Sequence, residues 1–196
     1  MDTWEIKFKE LNEVLSSLSA TDTRNLQMDS DTAFSKCCDL LSLVRKTKST
    51  CFFIGNGASA SMASHFSADM AKNGRLRTQS FTDLSLITAV GNDISFSQIF
   101  SQPLAWYCSD SDVLIAISSS GNSPNVVEGV EAARQKKCKV ITLSAMQPDN
   151  KIRSMGDINF YVPANTYGLA ETGHNAILHH LMDLVEAQAN PVNADG

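Results

Sequence analysis

Ser118, Ser119, Ser120 and Ser123, with Gly121 and Asn122 among them, directly follow the apolar run of DVLIAI. Pro124 comes next, a residue suited to the first turn of a helix. Hydroxyl groups and the free backbone N–H groups of a helix start together make a seat for a dianion such as a phosphate. No lysine stands in the loop, so it is not the loop that binds nucleoside triphosphates. An ordinary Ser/Asn turn with a capping residue is the bland alternative. Four serines behind one apolar run exceed what capping requires, and the anion reading is favoured.

A second stretch, FFIGNGASASMASHFSADMAKNG at 52–74, repeats the plan of apolar run, polar glycine-containing loop and helix. Gly55-Asn56-Gly57 lacks the third glycine of a dinucleotide fingerprint. Further on, His65 and Asp69 stand four residues apart, on one helical face. The pair suits metal binding or acid–base work, and equally a surface ion pair. A third stretch, YGLAETGHNAILHHLMDLVE at 167–186, holds Glu171 and three of the four histidines of the chain: His174, His179 and His180. Clustering in so histidine-poor a chain favours acid–base or metal chemistry. Glu171 and His179 are separated by about 12 Å along a continuous helix. They share one ion only if Glu171 precedes the helix or comes from another subunit.

The elements that position these groups are legible from periodicity. Short apolar runs at Cys51–Ile54, Leu84–Val90, Val113–Ile117, Val140–Leu143 and Ile158–Val162 alternate with amphipathic stretches. Strands so uniformly apolar belong to a parallel sheet covered on both faces, a doubly wound α/β fold. In such sheets ligands bind beyond the carboxyl ends of the strands, where the two glycine- and serine-bearing loops fall. Before the sheet, Trp4, Phe8, Leu11, Leu15 and Leu18 form one helical stripe, and a second helix begins at about Asp31. The polar segment TDTRNLQMDSD links them. Residues 1–48 read as a helical segment of the same domain, 49–188 as the main body, and 189–196 as a frayed tail.

At 196 residues and net charge −5, with 43% hydrophobic residues, the chain has the balance of a globular domain. Basic residues such as Lys136-Lys137 and Arg75/Arg77 stay in isolated pairs, which argues against a nucleic-acid surface. No apolar run approaches membrane-spanning length and no signal sequence opens the chain, so no membrane partner is expected. Five cysteines without CxxC spacing point to a reducing compartment, and the expected location is the cytoplasm.

The motifs IGNGASA, HFSAD, AVGNDISFSQIF, DVLIAISSSGNSPN, EAARQKKCKVITL and ETGHNAILHHLMDLVE, in this order, resemble the SIS (sugar isomerase) domain, and within it the phosphoheptose isomerases. The resemblance implies a five-stranded parallel sheet and a homotetramer with active sites at subunit interfaces. It implies conversion of sedoheptulose 7-phosphate to glycero-manno-heptose 7-phosphate, for surface-polysaccharide heptose synthesis. Matched residue by residue, Asn56, Gly57, Ala58 and Ser59 form a first substrate loop, Asn92 and Asp93 contact the sugar, and Ser118, Ser119, Ser120 and Ser123 hold the phosphate. His65, Asp69, Glu171 and His179 fall on the ligands of a Zn²⁺ ion, one per subunit, with Asp69 and His179 also catalytic. His179 rather than His180 takes that place because its register also aligns the trailing LVE. Two positions depart from the family: Asp69 stands for a glutamate about 1.5 Å longer, and Glu171 for a glutamine, reached after a one-residue deletion following Tyr167. The rival readings are a non-catalytic SIS adaptor that binds the replication initiator, and a sugar-phosphate sensor. The adaptor branch lacks the acid and the histidine that this chain keeps.

Overall fold

The computed structural model describes residues 3–190. The chain opens with α1 (Trp4–Ser16), whose N-cap Thr3 accepts a hydrogen bond from Ile6 N. Two short strands, β1 (Ser19–Asp22) and β2 (Gln27–Met28), form an antiparallel hairpin, and α2 (Ser30–Thr47) follows. The main body is then β3 (Thr50–Gly55), α3 (Ala58–Lys72), β4 (Arg77–Ser80), α4 (Leu84–Asp93), α5 (Ser101–Tyr107), β5 (Val113–Ser118), α6 (Pro124–Gln135), β6 (Lys139–Ala145), β7 (Ile158–Val162) and α7 (Tyr167–Ala189).

The seven strands lie in the order β2-β1-β7-β6-β5-β3-β4. From β7 to β4 all neighbours are parallel, giving the expected five-stranded core, while β1 runs antiparallel along β7. The number of parallel strands, five, is that expected, and two strands paired antiparallel extend the sheet to seven. The supposed linker supplies the extra two, because its backbone completes the otherwise open edge of β7. A correction concerns Leu84–Val90, expected as a strand and found in α4. Asp83 caps this helix, its side chain accepting from Leu86 N at 2.9 Å, and only one face of it packs on the sheet. The fifth parallel strand is instead the short, polar, half-exposed β4 at the far edge.

The strands β5 and β7 are buried along their whole length, and β3 and β6 are buried beyond their first residue. Alternate residues serve opposite faces. Phe53, Ile115 and Ile117 pack under α2, α3 and α7, with Phe66, Leu41 and Leu178. Phe52, Ile54, Leu114 and Ala116 pack under α4, α5 and α6, with Leu104, Val126 and Val130. Helix α1 lies at the periphery, with Val14 packed against the first cluster. None of its residues is buried, and Trp4 and Phe8 are 84% and 61% exposed. The final residues expected to fray lie, beyond Asn190, outside the described residues.

The chain leaves β3 for β4 on one side of the sheet and enters β5 on the other, so the strand order reverses between β3 and β5. The crevice at such a reversal is where doubly wound sheets bind ligands.

Candidate functional site

Two loops meet at this crevice. Beyond β3, Gly57 turns the chain with φ +55°, a left-handed conformation that side chains resist, and starts α3. Beyond β5, Ser118–Ser123 turns through Gly121 at φ +63° and starts α6 with Pro124 in its first turn. The two loops are tied by a reciprocal amide pair: Asn56 Nδ2 donates to Asn125 Oδ1, and Asn125 Nδ2 donates to Asn56 Oδ1, both at 2.8 Å. Asn125 is buried and also accepts from Val126 N. The Asn56 side chain, expected to touch substrate, is thus engaged as a clasp between the loops.

A cleft of about 230 Å³ opens between them. Asn56, Gly57, Ala58 and Ser59 line one wall, Ser118, Ser119, Ser120 and Ser123 the other, and Tyr167 and Glu171 at the start of α7 close it. Tyr167 and Asn125 are the two residues that the sequence reading did not single out. The serine loop was visible as chemistry, whereas the part of Asn125 depends on a partner 69 positions away.

The helix starts explain what the cleft is for. The side chains of Thr3, Asp29, Asp83 and Thr166 cap α1, α2, α4 and α7. Of the three helices that start at the cleft, α7 is thus capped, whereas α3 and α6 have no side-chain cap. Their leading N–H groups, with the positive end of each helix dipole, converge on one polar space lined by serine hydroxyls. An anion bound there would take the place of both missing caps.

The remaining candidates lie elsewhere. Helices α3 and α7 both start at the cleft and pack along each other. Down this pair, His65 Nε2 lies 3.3 Å from Asp69 Oδ2. The His179 ring sits edge-on to Phe66 at 4.8 Å and 5.9 Å from the His65 ring. His180 points instead to Phe34 on α2 at 4.6 Å. Of the two neighbours, His179 is the one that faces His65 and α3. Asp69 is half-buried, while His65 and His179 are exposed. Asp69 falls eleven residues after Ala58, about 16 Å along α3. Glu171 lies within α7, not before it, so it is about 12 Å from His179 along one helix. Of the two routes to a shared ligand site, only a contribution from another subunit remains. Among the described residues no three His, Cys, Asp or Glu side chains are grouped to hold a metal ion. Asn92 and Asp93 end α4, exposed, with Asn92 Nδ2 donating to Asp93 Oδ1 at 2.8 Å; neither lines the cleft of its own chain.

His174, one turn beyond Glu171, faces inward. It is fully buried, and neither ring nitrogen has a hydrogen-bond partner. Burial pushes its pKa down to about 4, against a smaller upward pull from the Ser144 backbone. Below about pH 6.5 the unfolded chain takes up a proton that the folded chain refuses until about pH 4. Its protonation therefore takes nothing from stability above pH 6.5 and makes the fold progressively weaker as pH falls toward 4. The full loss is about 3 kcal/mol. Urea unfolding at pH 7 and at pH 4.5 should show a smaller acid loss for His174→Phe than for the parent. Equal losses in the two proteins would rule His174 out as the cause.

Comparison with known proteins agrees with this geometry. The SIS domain family model matches residues 8–145. The phosphoheptose isomerase of Citrifermentans bemidjiense is 38% identical over 141 residues, 69% of this chain and 73% of that protein. The phosphoheptose isomerase of Coxiella burnetii is 34% identical over 149 residues, 72% of this chain and 75% of that protein. Among solved structures, a phosphoheptose isomerase from Neisseria gonorrhoeae superposes with a TM-score of 0.79 at 29% identity, covering 91% of this chain and 95% of that one. Another, from Francisella tularensis, gives 0.78 at 26% identity, covering 92% and 94%.

Proposed function

Because the chain belongs to the SIS domain family, among the phosphoheptose isomerases, we propose that it interconverts sedoheptulose 7-phosphate and glycero-manno-heptose 7-phosphate through an enediol. The observation that carries this reading is the convergence of two uncapped helix starts on one serine-lined cleft. Such a cleft binds the phosphate end of a sugar, and that remote binding energy positions the reacting end.

The chemistry then needs a base and a proton carrier. A base removes a proton from the carbon next to the carbonyl, and the same proton, or one from water, returns to the neighbouring carbon. Asp69 is the base. His179 passes the hydroxyl proton between the two oxygens as the double bond shifts. His65, in contact with the Asp69 carboxylate, holds the base in place. An acid paired with an imidazole, Asp69 with His65, and a second imidazole, His179, facing His65 from the adjacent helix favour an enzyme over an adaptor or a sensor.

One chain does not bring the phosphate seat and this acid–base group together. The enzyme therefore works as an assembly, a homotetramer, in which the exposed apolar side of α1 is covered. Two imidazoles and two carboxylates suit zinc by chemistry, but within one chain they do not converge. A zinc site would have to be completed by the partner subunit's Glu171. No helix among the described residues is long and apolar enough to cross a membrane. A cytoplasmic place, supplying heptose for surface polysaccharide, fits the reaction.

The direct test is an assay of sedoheptulose 7-phosphate conversion, with a panel of shorter ketose phosphates alongside. Turnover of the seven-carbon substrate is expected to exceed that of the others. Absence of turnover with every ketose phosphate, in the presence and absence of added zinc, would overturn the reading.

A further inference from the structure

We propose that Asn150, which does not line the cleft, is the positioning residue that sets its affinity for phosphate. This rests on the reading of Ser118–Ser123 as the phosphate seat.

Asn150 lies in the segment after β6 and is 3% exposed. Every polar atom of its side chain is committed. Nδ2 donates to Ala145 O at 3.2 Å and to Gln147 O at 2.7 Å, while Oδ1 accepts from Arg153 N at 3.2 Å. That network fixes the amide against the back of Gly121. A Cβ built on Gly121 would stand 1.9 Å from Asn150 Oδ1 and 2.2 Å from its Cγ. Gly121 is therefore required twice, by its left-handed φ and by the close approach of this amide.

The segment holds the loop at three further points. Ile152 N donates to Gly121 O at 3.1 Å, Lys151 N donates to Asn122 Oδ1 at 3.0 Å, and Ala145 N donates to Ser119 O at 3.1 Å. On its other side the loop closes on itself, Gly121 N donating to both the carbonyl and the hydroxyl oxygen of Ser118. The direction in which Ser119, Ser120 and Ser123 present their donors is thus set by where Gly121 sits. Gly121 sits where Asn150 lets it. Donors held in advance on a rigid support bind an anion without first being ordered, and loosening the support should cost affinity while chemistry at the distant acid–base group is spared.

The experiment uses the full chain, titrated with inorganic phosphate by calorimetry and assayed with sedoheptulose 7-phosphate. Asn150→Ala is expected to weaken phosphate about tenfold and to raise KM similarly, with kcat within about twofold of the parent. Exposed Asn122→Ala, which cuts only the Lys151 tie, should show the same pattern to a smaller degree and leaves the packed segment whole. Gly121→Ala should be costly in the parent and measurably less so in an Asn150→Gly background, where the facing amide is gone. A purely structural Asn150 would lower the melting temperature of Asn150→Ala with phosphate affinity and KM unchanged, and that result overturns the inference. Should Asn150→Ala fail to fold, additivity of Gly121→Ala with Asn150→Gly, together with an unaltered Asn122→Ala, would overturn it equally. The control is Ser118→Ala with Ser120→Ala. If that variant loses phosphate affinity while the Asn150 and Asn122 variants keep it, only the inference fails. If none of them loses affinity, the phosphate seat itself is misassigned.

Discussion

Asp69→Asn should abolish turnover while sugar phosphate still binds. The amide keeps the size of the carboxylate and its contact with His65, so the local fold should survive, but it cannot accept a proton from carbon. A positioned general base contributes about 10²–10⁴-fold, and at least a hundredfold loss in kcat is expected. Binding should persist because Asp69 is not among the residues that line the proposed phosphate seat. His179→Gln should behave likewise, since it removes the carrier of the hydroxyl proton and leaves the edge-on neighbours Phe66 and His65 in place. Asp69→Glu is the sharper test. The Asp69 side chain is 28% exposed, so one more methylene has somewhere to go. A site built for heptose 7-phosphate should keep or gain activity with the longer acid; a site reshaped around the shorter acid should lose it. Parent-like rates in both Asp69→Asn and His179→Gln would falsify the catalytic assignment.

Two inactive variants should restore each other. Glu171 closes the serine-lined cleft, while His179 stands beside His65, about 12 Å further down the same helix. If each active site takes its cleft and Glu171 from one subunit and its acid–base group from another, then chains carrying Glu171→Ala and chains carrying His179→Gln each fail alone. Co-expressed in equal amounts, they should form mixed assemblies in which about one site in four draws an intact half from each kind of chain. Activity near a quarter of the parent is expected from a background close to zero. The surface for such assembly is present: α1 exposes Trp4 and Phe8 beside Leu11, against Leu169 of α7. Light scattering must show mixed oligomers of the parent size. Mixed oligomers without recovered activity, or a parent protein that is monomeric and active, would rule out the shared site.

These tests aim at groups whose types the sequence displayed and whose partners it did not. The loop Ser118–Ser123 was legible because strand, turn and helix start are consecutive in the chain. Its chemistry needs only the local backbone. The core strands Cys51–Ile54, Val113–Ile117, Val140–Leu143 and Ile158–Val162 were legible for a similar reason, since burial on both faces leaves an unbroken apolar run. Leu84–Val90 carries a similar run, and seven residues of which five are apolar serve a strand or one side of a short helix equally well. The Asp83 cap and the packing against the sheet settled it. The hairpin of β1 and β2 was invisible because its stability comes from pairing with β7, more than a hundred residues away.

The sequence by itself determined which chemical groups this protein carries: a serine loop at a helix start, a His–Asp pair four residues apart, a histidine-rich last helix, and a parallel sheet to hold them. Each is written in spacings of a few residues, where helix and strand geometry leave little choice. Only the tertiary structure decided how those groups combine. It clasped Asn56 to Asn125 across 69 positions, set the Asn150 amide behind Gly121, and turned His179 and His180 toward different helices. It also placed Glu171 inside α7, which turns a spacing along the chain into a distance that one subunit cannot close. The physical reason is the same in every case. Contacts between residues far apart in the chain depend on how whole elements pack, and packing is a property of the assembled sheet and helices that no single segment encodes.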